Sequence, residues 1–229
     1  MERRTIVALG GGGFSMEPRN LRLDRFVLSL ARTRRPEVCF VPTASGDADG
    51  YIRRFYRAFR RLRCRPSHLS LFKPPRDLRG FVLSRDVIYV GGGNTRNLLT
   101  LWRDWGLDRL LREAWRRGTV LAGISAGALC WFEEGVTDST GALTPLRCLG
   151  FLPGSHCPHY DGERGRRPEY RKLVRTGRLK PGLAADDGAA LHFEGRRFVG
   201  AVSSRRHARA WRVDRAGETE IVPHFLDPH

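Results

Sequence analysis

The sequence predicts an α/β fold, a mostly parallel sheet with helices on both faces, in a single domain over residues 1–229. Three observations carry this. Short apolar runs alternate with stretches of helical periodicity over most of the chain. Three of those runs end in glycine-rich turns, at Gly10–Gly13, Gly91–Gly93 and Gly123–Gly127. Beyond Ala184 the texture changes to short strand-like runs separated by turn signals, which predicts β-hairpins at the edge of the sheet.

Thr5–Leu9 reads as the first strand, and Leu21, Phe26, Val27 and Leu30 then recur near helical spacing. Val38–Val41 is a second strand closed by Pro42. Tyr51, Phe55, Ala58, Phe59 and Leu62 form a helical stripe with Asp49 as its candidate cap, and this aromatic stripe is read as core packing. Leu69–Phe72 and Val87–Val90 are further strands, followed by helices over 94–105 and 107–117. After the strand that feeds Ser125, the C-terminal strands are expected at Ala189–Phe193, Arg197–Val202, Ala208–Val213 and Thr219–Val222, with turns at Gly195 and Ala216-Gly217.

A net charge of +17 and 41 Lys plus Arg residues raise nucleic acid as a partner. The excess is nearly all arginine, it is spread along the chain, and pairs such as Arg53-Arg54, Arg60-Arg61 and Arg116-Arg117 fall on polar helix faces, so a solvated surface is the preferred reading and no nucleic-acid partner is expected. No apolar run approaches a membrane span, and the start of the chain, Met1 to Leu9, is too short and strand-like for a signal peptide. The five cysteines, Cys39, Cys64, Cys130, Cys148 and Cys157, show no C-x-x-C pairing, and Cys39 and Cys130 lie in apolar runs. A reducing cytoplasm is therefore expected, and a homodimer is left open.

Gly123-Ile124-Ser125-Ala126-Gly127 is the most informative stretch. A serine between two glycines, after a buried strand and before an apolar helix start, predicts a sharp turn. Such a turn lifts the hydroxyl from the strand end and aims the Ala126 N–H into the same space. Gly91-Gly92-Gly93-Asn94-Thr95 ends the neighbouring strand on the same edge of a parallel sheet, so its N–H groups can supply the other half of an oxyanion hole. Gly10–Gly13 lacks the G-x-G-x-x-G spacing of a dinucleotide site, and neither glycine run is a phosphate loop with a following Gly-Lys-Ser/Thr. Among seven histidines, His159 stands out in Cys157-Pro158-His159-Tyr160-Asp161, a loop downstream of the serine turn. His68, His156, His192, His207, His224 and His229 have weaker settings. For the acid that orients the base, Asp138 lies in the loop after the serine helix, and Glu133 at that helix's end competes with it. The arrangement points to a serine hydrolase without a cofactor or metal. An α/β esterase also uses G-x-S-x-G, so esterase chemistry stays open, as do a non-catalytic module of the same fold and a nucleic-acid-binding module.

Val90-Gly91-Gly92-Gly93-Asn94-Thr95, Gly123-Ile124-Ser125-Ala126-Gly127-Ala128 and Pro158-His159-Tyr160-Asp161, in this order and spacing, resemble peptidase E, the aspartyl dipeptidase family of serine peptidases, with cyanophycinases as larger relatives. Asp186-Asp187-Gly188-Ala189-Ala190-Leu191-His192 is similar to that family's downstream segment. The resemblance implies a class I glutamine-amidotransferase-like fold, no metal, and cleavage of small peptides, dipeptides with N-terminal Asp in particular. It implies Ser125 as nucleophile, His159 as base, and Gly92 and Ala126 as oxyanion donors. A substrate carboxylate requires a cation, for which Arg164, Arg166, Arg167 and Arg171 are the candidates, since a guanidinium can grip it with two parallel hydrogen bonds. Asn94 joins Arg166, Arg167 and Arg171 as a substrate-binding candidate.

Overall fold

The computed structural model describes residues 4–227. Met1–Arg3 of the expected non-signal N-terminus, and His229, lie outside the described residues. In chain order the elements are β1 (Thr5–Leu9), α1 (Gly13–Met16), α2 (Arg22–Ser29), β2 (Glu37–Val41), α3 (Asp49–Phe59), β3 (Arg65–His68), α4 (Leu78–Leu83) and β4 (Val87–Val90). Next come α5 (Thr95–Asp104), α6 (Leu107–Arg116), β5 (Val120–Ile124), α7 (Ala126–Leu129), β6 (Phe132–Thr137), β7 (Thr144–Arg147), β8 (Leu152–Cys157) and α8 (Arg166–Arg175). The chain closes with β9 (Gly182–Ala185), β10 (Ala189–Glu194), β11 (Arg197–Ser203), β12 (Ala210–Val213), β13 (Glu218–Ile221) and β14 (His224–Phe225).

Eight strands form the main sheet in the order β14-β11-β10-β1-β5-β4-β2-β3, and the five from β3 to β1 run parallel. Of these, β1, β2, β4 and β5 are largely apolar on both faces because both faces are covered, and their alternation sorts side chains between two cores. Leu121 of β5 packs with Trp102, Leu111, Trp115 and Trp131 on one side. Val120, Ala122 and Ile124 face Phe14, Phe40, Phe55 and Tyr89 on the other. Phe14 sits among Phe40, Phe55, Phe59 and Tyr89 with ring centroids 5.4–5.6 Å away, so the expected aromatic stripe is core. The carboxyl ends of β1, β2, β4 and β5 open on one edge, where the loops of an open α/β sheet build a site.

A second sheet of six strands, β13-β12-β9-β8-β6-β7, was not foreseen. Its strands mostly lie in the polar, glycine-containing stretches that periodicity reads as loop. The expected hairpins are therefore relocated. β10 and β11 pair antiparallel, but β10 is inside the main sheet against β1, and β12–β13 belong to the second sheet. The third strand lies at Arg65–His68 rather than Leu69–Phe72, because the register opposite β2 decides which residues pair. Asp49 is the first residue of α3 and pairs loosely with Arg53 instead of capping the helix. All five cysteines are free thiols and four are buried. Among the described residues no helix is long and apolar enough to cross a membrane.

Asp24 on α2 is fully buried against Tyr89, whose hydroxyl donates to Oδ1 at 3.1 Å. Burial pushes its carboxyl up from 3.8 to about 7, the Tyr89 hydrogen bond offsetting part of the effect. The unfolded chain releases this proton near pH 4 while the fold retains it to about 7, so the folded state binds more protons between those values. Stability contributed by this group is therefore full below about pH 4 and declines as pH rises to about 7. Asp24→Asn is expected to flatten that decline and to raise the urea midpoint above pH 7; a midpoint below that of the wild type at pH 8 would contradict it.

Candidate active site

Three consecutive carbonyls at the end of β1 gather the site. The N–H of Ser125 donates to the Leu9 carbonyl at 3.2 Å, that of His159 to Gly10 at 3.1 Å, and that of Gly188 to Gly11 at 3.1 Å. Gly11 also bridges Asp187 in parallel register. A Cβ on Gly11 would fall 2.0 Å from Asp187 Oδ1 and 2.9 Å from His159 Cε1, so only glycine lets these groups come so near the strand end. The first glycine run is thus the support of the site.

Ser125 sits between β5 and α7 with φ 56° and ψ −115°. Only three non-glycine residues among those described have positive φ, namely Asp47, Ser125 and His159. A residue held there costs about 1–3 kcal/mol, which the surrounding turn must impose. Gly123 makes the turn sterically feasible, since a Cβ there would lie 2.0 Å from the Gly127 carbonyl oxygen. Ser125 is half-buried, and the Ala126 N–H opens α7 without an intrahelical acceptor. Gly92 lies beside the serine, a Cβ there being 3.2 Å from Ser125 Cβ and 3.8 Å from its Oγ. Its N–H donates to the buried Tyr51 hydroxyl at 3.2 Å.

His159 Nδ1 meets Asp187 Oδ1 at 2.6 Å, and each side chain is 12% exposed, so the pair is shielded from water. Burial pushes the Asp187 carboxyl up, but the His159 hydrogen bond and charge, with Arg205 and Arg166, outweigh it and hold the carboxyl below its ordinary value. The Asp187 N–H donates to Asp161 Oδ1 at 2.7 Å, fixing its backbone from the other side. Among the described residues no hydrogen bond joins Ser125 Oγ directly to His159.

The orienting acid expected at Asp138 or Glu133 is not at His159. Asp138 is exposed and its Oδ2 lies 3.6 Å from Arg166. Glu133 is not at a helix end, because α7 stops at Leu129 and the chain turns into β6 of the second sheet. There its carboxylate pairs with Lys180 at 2.8 Å and accepts the Gly154 N–H at 3.1 Å. Asn94 caps α5 by accepting from the Asn97 N–H at 2.9 Å and donates to the Ser139 carbonyl at 3.0 Å. That is a structural role, legible in an Asn just before a helix.

Arg167 and Arg171 are also taken. Arg167 Nη2 bonds Glu218 at 2.5 Å and its guanidinium lies 4.1 Å from the Trp211 ring centre, while Arg171 Nε is 3.7 Å from the same carboxylate. Arg166 at the start of α8 is buried and bonded through Nε to Glu163 Oε2 at 2.6 Å. The other Glu163 oxygen reaches to 4.0 Å from His159 Nε2. Arg164 is exposed in the loop before α8. Sequence reasoning missed Asp187 and Glu163. An acid directly preceding a glycine and an apolar strand was the available signal for the first, and for Glu163 it was the spacing of four residues from His159 and three from Arg166.

The family model for peptidase family S51 matches residues 6–200. The chain belongs to this family. It is 64% identical over 220 residues to a Bacillus subtilis protein named uncharacterized peptidase YgaJ, covering 96% of this chain and 95% of that one. It is 29% identical over 182 residues to peptidase E of Shewanella amazonensis, covering 74% and 76%. A crystal structure of a peptidase from an acI-B1 actinobacterium superposes with a TM-score of 0.72 at 16% identity, over 96% of this chain and 95% of that one, and shares the fold. This S51 chain is accordingly a peptidase of the serine type.

Proposed function

We propose that this S51 peptidase hydrolyses short peptides through Ser125 as nucleophile, His159 as general base and Asp187 as the carboxylate that orients the base. The 2.6 Å contact between His159 Nδ1 and Asp187, on the same strand end that holds the Ser125 turn, is the observation that carries this reading. An ionised Asp187 accepts from Nδ1–H and so selects the tautomer whose Nε2 lone pair is free for the serine proton. As the hydroxyl attacks the scissile carbonyl, Nε2 takes its proton and then gives it to the leaving amine. The oxyanion develops against the Ala126 N–H, with the Gly92 N–H as second donor once it leaves the Tyr51 hydroxyl. Water, deprotonated by His159, then releases the acyl group and restores Ser125.

The N-terminal Asp preference implied by the resemblance depends on a free cation, whereas Arg166, Arg167 and Arg171 each face a carboxylate of their own chain. A fluorophosphonate probe is expected to label the native protein at one residue, Ser125, as located by peptide mass spectrometry. Labelling at another serine, or none alongside full turnover of dipeptides, would defeat the reading.

A further inference from the structure

A guanidinium that receives a substrate carboxylate must not already hold one from its own chain. Arg166 does hold one. Its side chain is 5% exposed, its Nε and Nη2 both engage Glu163, and Asp138 stands 3.6 Å away. Glu163 is 44% exposed and spans from this buried cation to His159 Nε2, the nitrogen facing the reaction. Its Oε1 lies 4.0 Å from the nitrogen that would take the serine proton, so a peptide held between Ser125 and His159 comes up against this carboxylate. At Arg166 one guanidinium faces two carboxylates, Glu163 and Asp138, so a further carboxylate arriving there meets a cation already engaged.

We propose that Glu163 is the specificity-determining residue of the substrate site. It occupies the Arg166 anchor from within the chain and selects against peptides with an acidic N-terminal side chain, in favour of neutral ones. This rests on reading Ser125, His159 and Asp187 as the catalytic centre. Arg167 offers no substitute anchor, because its guanidinium and the Tyr160 hydroxyl both bond Glu218, and Arg171 lies against the same carboxylate at 3.7 Å. The repulsive element carries the discrimination, since an Asp side chain must displace Glu163 while its isostere Asn need not.

The test compares kcat/KM for Asp-Leu and Asn-Leu. The wild type is expected to cleave Asp-Leu about tenfold or more less efficiently than Asn-Leu, a discrimination of the size that one misplaced charge supplies. Glu163→Gln is expected to raise the Asp-Leu to Asn-Leu ratio by about tenfold, and adding Arg166→Met to return it to the wild-type value. A wild type that prefers Asp-Leu, which would point to Arg164 as anchor, or a ratio unmoved by Glu163→Gln, would overturn the proposal. Calorimetric binding of the same dipeptides to Ser125→Ala, with and without Glu163→Gln, reads the ratio without turnover. The ratio of dissociation constants must shift toward Asp-Leu there too. If the fluorophosphonate fails to label Ser125 while this binding ratio shifts, the catalytic assignment falls and the anchor assignment stands. An unmoved binding ratio overturns the anchor assignment whatever the labelling shows.

Discussion

Ser125→Ala is expected to lower kcat by roughly 10⁴ to 10⁶-fold, the size of loss seen when a serine nucleophile is removed from an intact triad. The fold should survive. Ser125 already has φ 56°, so alanine inherits the same backbone strain and keeps the Cβ that packs beside Gly92. Only one oxygen in a half-buried turn is lost, and the Ser125 N–H still reaches the Leu9 carbonyl. The measurement is single-substrate turnover of a dipeptide beside a thermal melt. A melting temperature within a few degrees of wild type, with turnover at background, is the expected pair. Turnover within tenfold of wild type would remove Ser125 from the mechanism, because nothing else in the elbow can form the acyl bond.

The second large effect separates three carboxylates. Asp187→Asn is expected to lower kcat by about 10⁴-fold, since an amide favours the wrong imidazole tautomer and no longer stabilises the imidazolium. The substitution is nearly isosteric, which matters because Gly162 packs so closely that a Cβ on it would lie 2.4 Å from Asp187 Oδ2. Asp138→Asn and Glu133→Gln should each change kcat by only a few fold. Asp138 is 61% exposed and touches only the edge of the Arg166 cluster, and Glu133 serves the second sheet through Lys180, Arg196 and Gly154. Equal losses for Asp187→Asn and Asp138→Asn on one dipeptide would return the role to the loop after the serine. Because Asp187 is held below the ordinary carboxylate value, it remains ionised through the neutral range and into mild acid.

The local part of this site was legible in the chain. Gly123, Ser125 and Gly127 announce a tight strand-to-helix turn through sterics alone, and the structure gives Ser125 the positive φ that such a turn enforces. That β1, β5, β4 and β2 run parallel was likewise expected from apolar runs alternating with helical stretches, although their order in the sheet was not. His159 could be singled out by its place in a glycine- and proline-rich loop, although not by any property of its own. Those inferences share a cause: each depends on residues within one or two turns of each other, where backbone geometry and side-chain size act directly.

What the sequence could not settle was which distant groups meet. Asp186 and Asp187 are adjacent and chemically identical, yet successive side chains in an extended segment point to opposite sides. Asp186 accepts from Trp211 Nε1 and the Arg209 N–H, while Asp187 takes His159. Periodicity cannot assign that choice. It is made by the pairing of β10 with β1, which sets Asp187 against Gly11, and by the bond from the His159 N–H to Gly10. Arg166 differs, since its partner Glu163 is only three residues away and that glutamate lies four residues after the histidine it approaches. A charge in a sequence has no partner until the fold supplies one. Here the end of a single strand supplies it, because its consecutive carbonyls are the nearest acceptors for three segments remote along the chain.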